Sequence, residues 1–109
     1  MVDGIESRRP AYALDDIRTA AENRRIRYDG RKVNSNIRDL GYTLDDVARC
    51  VAGLKQENFR KSLAYSNAVY DVYIGRCYRP QTRDADDIYM KLRVLDTGEL
   101  SVGIGSFHL

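Results

Sequence analysis

The chain has 109 residues, enough for one domain with a modest hydrophobic core and too few for two. Its hydrophobic fraction of 43% and charged fraction of 31% describe a soluble globular protein and exclude a disordered tail. The net charge is only +2, which does not by itself indicate nucleic-acid binding, although 14 of the 18 cations are Arg, a side chain suited to phosphate. We therefore predict a single domain over residues 1–109.

Targeting signals, membrane spans and zinc motifs are missing from the sequence. The first ten residues lack the apolar stretch of a secretory signal, and no window approaches 18 apolar residues. Cys50 and Cys77 form no CxxC motif and have no neighbouring His, so they make no zinc site. They form either a disulfide or two free thiols, and a reducing cytoplasm favours the thiols. We expect a cytoplasmic protein without a membrane segment, a metal or a cofactor.

The N-terminal half predicts helices. Residues 1–10 are polar and expected to be frayed, whereas residues 12–25 carry a helical apolar stripe with two acids at the favoured N-terminal end. Residues 26–28 read as a very short strand and residues 29–30 as a turn. A second helix is predicted over residues 31–40, ended by a glycine at position 41.

A third helix follows, and it has the clearest N-terminal signal. Thr43 and Asp46 have the spacing of a capping box, with Asp in place of the usual Glu. The apolar residues behind them share one helical face, which predicts a helix to about residue 54 lying on the sheet: Leu44, Val47, Ala48, Val51 and Leu54.

The C-terminal half predicts strands. Alternation over residues 68–74 indicates a strand, residues 77–87 contain Pro and three acids and predict a loop, and residues 87–95 alternate most regularly. A turn at residues 96–98 joins this strand to another over residues 99–107, which predicts a β-hairpin. Helices followed by a strand meander predict an α+β fold, with N-terminal helices packed on a mainly antiparallel C-terminal β-sheet.

The strand over residues 87–95 has two contrasting faces. One face carries Ile88 and the apolar residues at period two, and the other carries Tyr89, Lys91 and Arg93, about 7 Å apart. The pattern alone favours an ordinary solvated face. The alternative is a face that binds a polyanion.

Phenols and cations are interleaved throughout the second half of the chain. Such a surface can grip single-stranded RNA through stacking and phosphate contacts. It can also cleave RNA, because the reaction needs a base near the 2′-hydroxyl, cations on the phosphorane and an acid at the 5′ oxygen. The residues concerned are Arg60, Lys61, Tyr65, Tyr70, Tyr73, Arg76, Tyr78, Arg79, Tyr89, Lys91 and Arg93.

Other catalytic motifs are weaker. His108 is the single histidine of the chain, and one terminal histidine builds no Ser-His-Asp or Cys-His constellation. The acids Asp84, Asp86 and Asp87 fall in the predicted loop, where solvated side chains account for them better than a magnesium site. No glycine-rich phosphate loop has P-loop or Rossmann spacing.

Five blocks in the correct order resemble the MqsR family, bacterial mRNA-interferase toxins of type II toxin–antitoxin systems with a RelE-like fold. The blocks cover nearly the whole chain, at residues 10–17, 40–54, 58–63, 71–73 and 88–92. Their sequences are PAYALDDI, LGYTLDDV followed by CVAGL, NFRKSL, DVY and IYMKL.

The resemblance implies RNA cleavage with Lys61 and Tyr89 at matched catalytic positions and Lys91 nearby on the same face. The family ends in a Ser-Phe-Lys block, which aligns His108 with a functional Lys. Histidine is chemically reasonable there because it titrates near neutral pH. A second alignment slides residues 100–105 against that block instead.

One family residue is missing. The family has Trp-Gln before Asp-Val-Tyr, where this chain has Val69 and Tyr70. An alternative register built on the Tyr-Arg-Pro at residues 78–80 puts Gly75 at the Gln position. The Gln is absent in either register, and the loop before Ile88 is longer than is usual in the family.

The sequence therefore predicts a metal-independent, sequence-selective endoribonuclease toxin that cleaves mRNA and inhibits translation. We expect Lys61, Tyr89 and His108 to be catalytic. Arg60, Arg76, Arg79, Lys91 and Arg93 are expected to bind RNA. Its partners would be mRNA and a cognate antitoxin with a DNA-binding domain, encoded by an adjacent gene. The alternatives are a non-catalytic RNA-binding or antitoxin-binding module, motivated by the missing Gln, and a structural or interaction protein in which the strand cations pair with the acidic loop.

Overall fold

The computed structural model describes residues 4–79, 82 and 84–109. Within them, three α-helices pack on a six-stranded sheet of order β1-β3-β4-β5-β6-β2, in which β2 runs parallel to β6 and the other neighbours are antiparallel. This architecture confirms the predicted α+β fold. The elements are β1 (Ile5–Ser7), α1 (Leu14–Glu22), β2 (Ile26–Tyr28), α2 (Arg31–Asp39), α3 (Leu44–Ala52), β3 (Phe59–Ala64), β4 (Val69–Tyr78), β5 (Ala85–Asp96) and β6 (Leu100–His108).

The hydrophobic core lies between the helices and one face of the sheet. Residues at alternate positions of β5 point into it, and Ile88, Met90 and Leu92 are fully buried, as the alternation predicted. The helices contribute Ile17, Val47 and other buried side chains. The opposite face of the sheet, which we call the outer face, is therefore the one that carries Lys61, Tyr89, Lys91 and Arg93.

Local signals set several boundaries as predicted. The Thr43 hydroxyl accepts a hydrogen bond from the Asp46 backbone amide, and the Asp46 carboxylate accepts one from the Thr43 backbone amide. The predicted capping box is therefore present. Gly41 has a φ of +80°, and Gly98 in the β5–β6 turn has a φ of +99°. The prediction for Leu44 is wrong, because this side chain is 45% exposed. The third helix ends at Ala52 rather than at residue 54.

Helix α1 is shorter at both ends than the periodicity predicted. The backbone amides of Ala11 and Tyr12 donate to the Asp71 carboxylate at 2.9 and 3.0 Å, which ties the segment before Leu14 to the sheet. At the other end Arg24 adopts a φ of +60°, which a helix does not continue through. The chain then enters β2, confirming the predicted short strand.

Two strands were missed. Ile5–Ser7 pairs with Ser62–Ala64, so the expectation of a frayed N-terminus is wrong for this segment. Strand β3 escaped prediction because a β-bulge lies between Phe59 and Lys61: Phe59 pairs with Tyr73 and Lys61 with Val72. The extra residue, Arg60, breaks the alternation on which a strand prediction depends.

The predicted loop over residues 77–87 is also wrong at both ends. Strand β4 continues to Tyr78 and pairs with Ala85, so the connection is only a few residues long. Asp86 is 8% exposed rather than solvated, because its carboxylate accepts bonds from Arg79 at 2.9 Å and from Tyr42 at 3.0 Å. Pro80, which contributed to the loop prediction, lies outside the described residues.

The two cysteines are free thiols, Cys50 half-buried on α3 and Cys77 buried on β4. In the part of the chain described, no helix is long and apolar enough to cross a membrane.

Candidate functional site

Two lysines lie in one row across the outer face. Lys61 on β3 pairs with Val72 on β4, and Val72 pairs with Lys91 on β5. Two strand spacings put their Cα atoms about 10 Å apart. Val72 lies between them and is only 1% exposed. The arrangement can place two ammonium groups on either side of one phosphate.

Tyr89 and His108 form the adjacent row. They are paired residues of β5 and β6, and their rings stack with centroids 5.1 Å apart and an interplanar angle of 20°. Tyr89 is two residues from Lys91, so both side chains lie on the same face. A phenol and an imidazole, each able to exchange a proton, thus lie next to the lysine row.

Tyr65 is a further member of this cluster. It follows β3 in the turn to β4, and its hydroxyl accepts a hydrogen bond from the Lys91 ammonium at 2.8 Å. The same ammonium lies 5.2 Å from the Tyr65 ring centroid, a cation–π contact. The sequence placed Tyr65 among the interleaved phenols and cations, but only the fold brings it to Lys91.

Lys61 has a counter-charge that the sequence did not reveal. The Glu6 carboxylate on β1 accepts a hydrogen bond from the Lys61 ammonium at 2.8 Å. This bond and the charge of Glu6 raise the pKa of Lys61, and nearby Tyr89 and Tyr65 add to the effect. Lys61 is therefore a cation in the free protein, suited to phosphate binding rather than to accepting a proton.

Arg93 is held in a network of its own. Its guanidinium donates to the Asp29 carboxylate at 2.7 Å, and the Tyr70 hydroxyl donates to the same oxygen at 2.8 Å. Arg93 also lies 5.5 Å from the Tyr70 ring centroid. Burial, together with the bond to Asp29, raises the pKa of Tyr70 to about 12. The charge of Arg93 is thus neutralised by its ion pair with Asp29.

The comparison with protein families decides the class of this protein. The model of the family described as "Motility quorum-sensing regulator, toxin of MqsA" matches residues 9–108, nearly the whole chain. The chain belongs to the MqsR toxin family. It is a toxin of a toxin–antitoxin system, and the family implies an antitoxin as its partner. A search of curated proteins gives no match.

The two positions that the alignments offer for the missing MqsR-family Gln, Gly75 and Tyr70, lie in different surroundings. Gly75 faces the helices, and a Cβ added there would lie 2.7 Å from a Leu54 methyl group. Tyr70, in contrast, lies on the outer face beside Arg93. Of these two positions, that of Tyr70 presents a side chain to the outer face, where its hydroxyl is already bonded to Asp29.

The remaining predicted RNA-binding arginines lie around the cluster or away from it. Arg60 in the β3 bulge is exposed, next to Lys61, and donates to the carbonyls of Glu57 and Phe59. Arg76 is exposed on β4 and lines a cavity of about 150 Å³ against α3. Arg79 is bonded to Asp86, whose other partner, Tyr42, belongs to the helical side. The structure thus gathers Lys61, Tyr89, Lys91 and His108, places Arg76 on the same face diagonally across from Tyr89, and leaves Arg79 elsewhere.

Proposed function

We propose that this toxin is a metal-independent, sequence-selective endoribonuclease that cleaves mRNA in the cytoplasm and so inhibits translation. The observation that carries the proposal is the cluster on the outer face, where the row of two lysines lies beside the stacked pair of Tyr89 and His108. Positive charge and proton-transfer groups on one accessible surface are what cleavage of an RNA backbone requires.

The reaction proceeds through the 2′-hydroxyl of the RNA. A base removes its proton, the 2′ oxygen attacks the adjacent phosphorus, and the bond to the 5′ oxygen breaks as an acid protonates that oxygen. The products are a 2′,3′-cyclic phosphate and a 5′-hydroxyl. Tyr89 handles the proton transfers together with His108, and Lys61 assists as a cation that neutralises the phosphorane charge. Lys91, oriented by Tyr65, binds the phosphate from the other side.

RNA outside the scissile bond would be held by arginines. Arg60 adjoins the centre and offers an exposed guanidinium. Arg76 and Arg79 extend the basic surface toward the β4–β5 connection, and Arg93 acts mainly through the shape of the face, since Asp29 neutralises it. Contacts of these arginines with the phosphates bind the RNA backbone, and stacking of bases on exposed phenols contributes sequence preference.

The partners of the protein follow from its class. We propose that mRNA is the substrate and that the cognate antitoxin carries a DNA-binding domain and is encoded by an adjacent gene. A small neighbouring reading frame with a helix-turn-helix pattern would support this arrangement. Co-expression with that frame should abolish the growth arrest that expression of the toxin alone causes.

Cleavage by the purified protein tests the enzymatic proposal. A long RNA incubated with the protein and a metal chelator should yield 2′,3′-cyclic phosphate ends. We expect Lys61→Ala and Tyr89→Phe to lower the cleavage rate by about a hundredfold or more, the range for a lost acid–base group. Lys32→Ala and Tyr28→Phe are matched controls, because Lys32 is exposed on α2 and Tyr28 packs against the core on the helical side of the sheet, both away from the outer face. Intact RNA with wild-type protein, or unchanged rates in both site variants, would contradict the proposal.

A second candidate function is a non-catalytic module that binds RNA or the antitoxin. It is motivated by the missing family Gln, because Tyr70, one of the two positions aligned with that Gln, has its hydroxyl bonded to Asp29. The same incubation separates the two functions, because RNA that is retained by the protein without new cyclic phosphate ends would identify the module. The absence of RNA affinity at low salt would favour an interaction with protein alone.

A further inference from the structure

Strand β1 is a feature of this chain that the family match does not include. The match begins at residue 9, whereas β1 consists of Ile5–Ser7. Glu6 pairs with Leu63 of β3 and lies diagonally across from Lys61 on the same outer face. Part of the candidate active site is therefore contributed by a segment that precedes the matched residues.

The β1 segment contacts the groups that hold both lysines. Glu6 accepts a hydrogen bond from the Lys61 ammonium at 2.8 Å. Gly4 lies so close to Tyr65 that an added Cβ would be 3.1 Å from the ring, and Tyr65 in turn accepts a hydrogen bond from Lys91. The N-terminal segment thus packs beside the two cations that the reaction would use.

We propose that Glu6 is a positioning residue of the site, which holds the Lys61 ammonium in place and sets how tightly RNA phosphate is bound. This inference rests on the proposed function. A lysine has a flexible four-carbon stem, so an ion pair at its end restricts where the charge lies. The same carboxylate repels an approaching phosphate, which must share or replace Glu6 at the ammonium.

The exposure of the pair makes such exchange feasible. The Lys61 and Glu6 side chains are 37% and 63% exposed, so a phosphate can approach the ammonium without unfolding β1. A solvent-exposed ion pair contributes little to stability. Its removal should therefore change ligand binding much more than it changes the folding of the protein.

A binding experiment tests the proposal. The probe is a short RNA that carries 2′-O-methyl groups and cannot be cleaved, and its dissociation constant is measured by fluorescence anisotropy over a series of salt concentrations. Glu6→Gln should bind it about two- to fivefold more tightly, and the slope of log K against log salt should steepen by about 0.7. Glu57→Gln is the matched control. Glu57 is an exposed acid beside β3 whose side chain does not contact Lys61, so its substitution removes the same charge without breaking that ion pair.

Two further variants show whether Glu6 acts through Lys61. In a Lys61→Met background, Glu6→Gln should change the dissociation constant no more than Glu57→Gln does, because the group that Glu6 positions is gone and only the effect of net charge is left. Glu6→Asp keeps the carboxylate and should bind as the wild type does. With a cleavable RNA, Glu6→Gln should lower KM without a matching rise in kcat, since the freed ammonium is less well oriented.

The outcomes separate this inference from the proposed function. If the wild type cleaves RNA and Glu6→Gln binds the probe with unchanged affinity, the role of Glu6 is overturned and the endoribonuclease stands. Tighter binding in both Glu6→Gln and Glu57→Gln would overturn it as well, because net charge alone would then explain the effect. If the wild type neither binds nor cleaves RNA, both fail together.

Discussion

Asp29 connects the β2–α2 turn to the outer face of the sheet, and its replacement by Asn should destabilise the protein. Asn has nearly the same shape but no charge, so it leaves the Arg93 guanidinium without a counter-charge. Asp29 and Arg93 are 9% and 21% exposed. Breaking a buried pair by removing one partner costs about 3–5 kcal/mol. Because Arg93 retains some contact with solvent, we expect about 2 kcal/mol for Asp29→Asn.

Urea unfolding followed by circular dichroism measures this loss. A loss of about 2 kcal/mol corresponds to a fall in Tm of about 10 °C for a domain of this size. Asp45→Asn is the matched control: Asp45 pairs with Arg24 at 2.8 Å, yet both side chains are largely exposed, so we expect a change of about 0.5 kcal/mol or less. In an Arg93→Met background, Asp29→Asn should cost measurably less, because the two changes remove the same interaction.

Equal stability of Asp29→Asn and Asp45→Asn would refute the reasoning. It would mean that the network of Asp29, Tyr70 and Arg93 adds nothing beyond a surface ion pair. Additive losses in the double variant would likewise show that Asp29 and Arg93 stabilise the protein independently.

Three further predictions follow from single contacts. Tyr65→Phe removes the hydroxyl bonded to Lys91 and should lower kcat for RNA cleavage about tenfold with little change in the urea midpoint, as steady-state kinetics would show. The hydrogen bond from the Arg79 guanidinium lowers the pKa of Asp86 below its ordinary value of 3.8. The contribution of Asp86 to stability is therefore present above pH 3.8 and is lost as the pH falls through the lowered pKa. Urea midpoints at about pH 7 and about pH 3 should therefore differ less in Asp86→Asn than in the wild type. Gly105→Ala puts a Cβ within 2.7 Å of the Tyr70 ring and should cost about 1–3 kcal/mol in urea unfolding, and an unchanged midpoint would show that the ring moves freely.

The sequence predicted the parts of this protein that depend on neighbours along the chain. The capping box of Thr43, the turn at Gly98 and the alternation of β5 are local patterns, because hydrogen bonds and side-chain faces repeat over a few residues. Periodicity also placed Tyr89 and Lys91 on one face. The ordered blocks then associated Lys61 with them, and the same blocks predicted the family that the match to residues 9–108 confirms.

Other features depend on contacts between distant segments and were not predictable in this way. Glu6 reaches Lys61 across 55 positions of the chain, and Asp29 reaches Arg93 across 64. Neither acid belongs to a motif: Glu6 lies in the segment that was expected to be frayed, and Asp29 lies in a predicted turn. Asp86 appeared to lie in a solvated loop because nothing local indicates that Arg79 and Tyr42 would meet it.

The sequence by itself thus determined the helices, the hairpin and the residue types available on the outer face. Only the tertiary structure decided which cations on the outer face remain available to a ligand. The neighbouring strands and turns determine whether a carboxylate neutralises the charge of a given strand residue. Lys91 is held by a phenol and Arg93 by a carboxylate, although the two alternate along the same strand and face. Strand pairing, which is non-local, made that distinction.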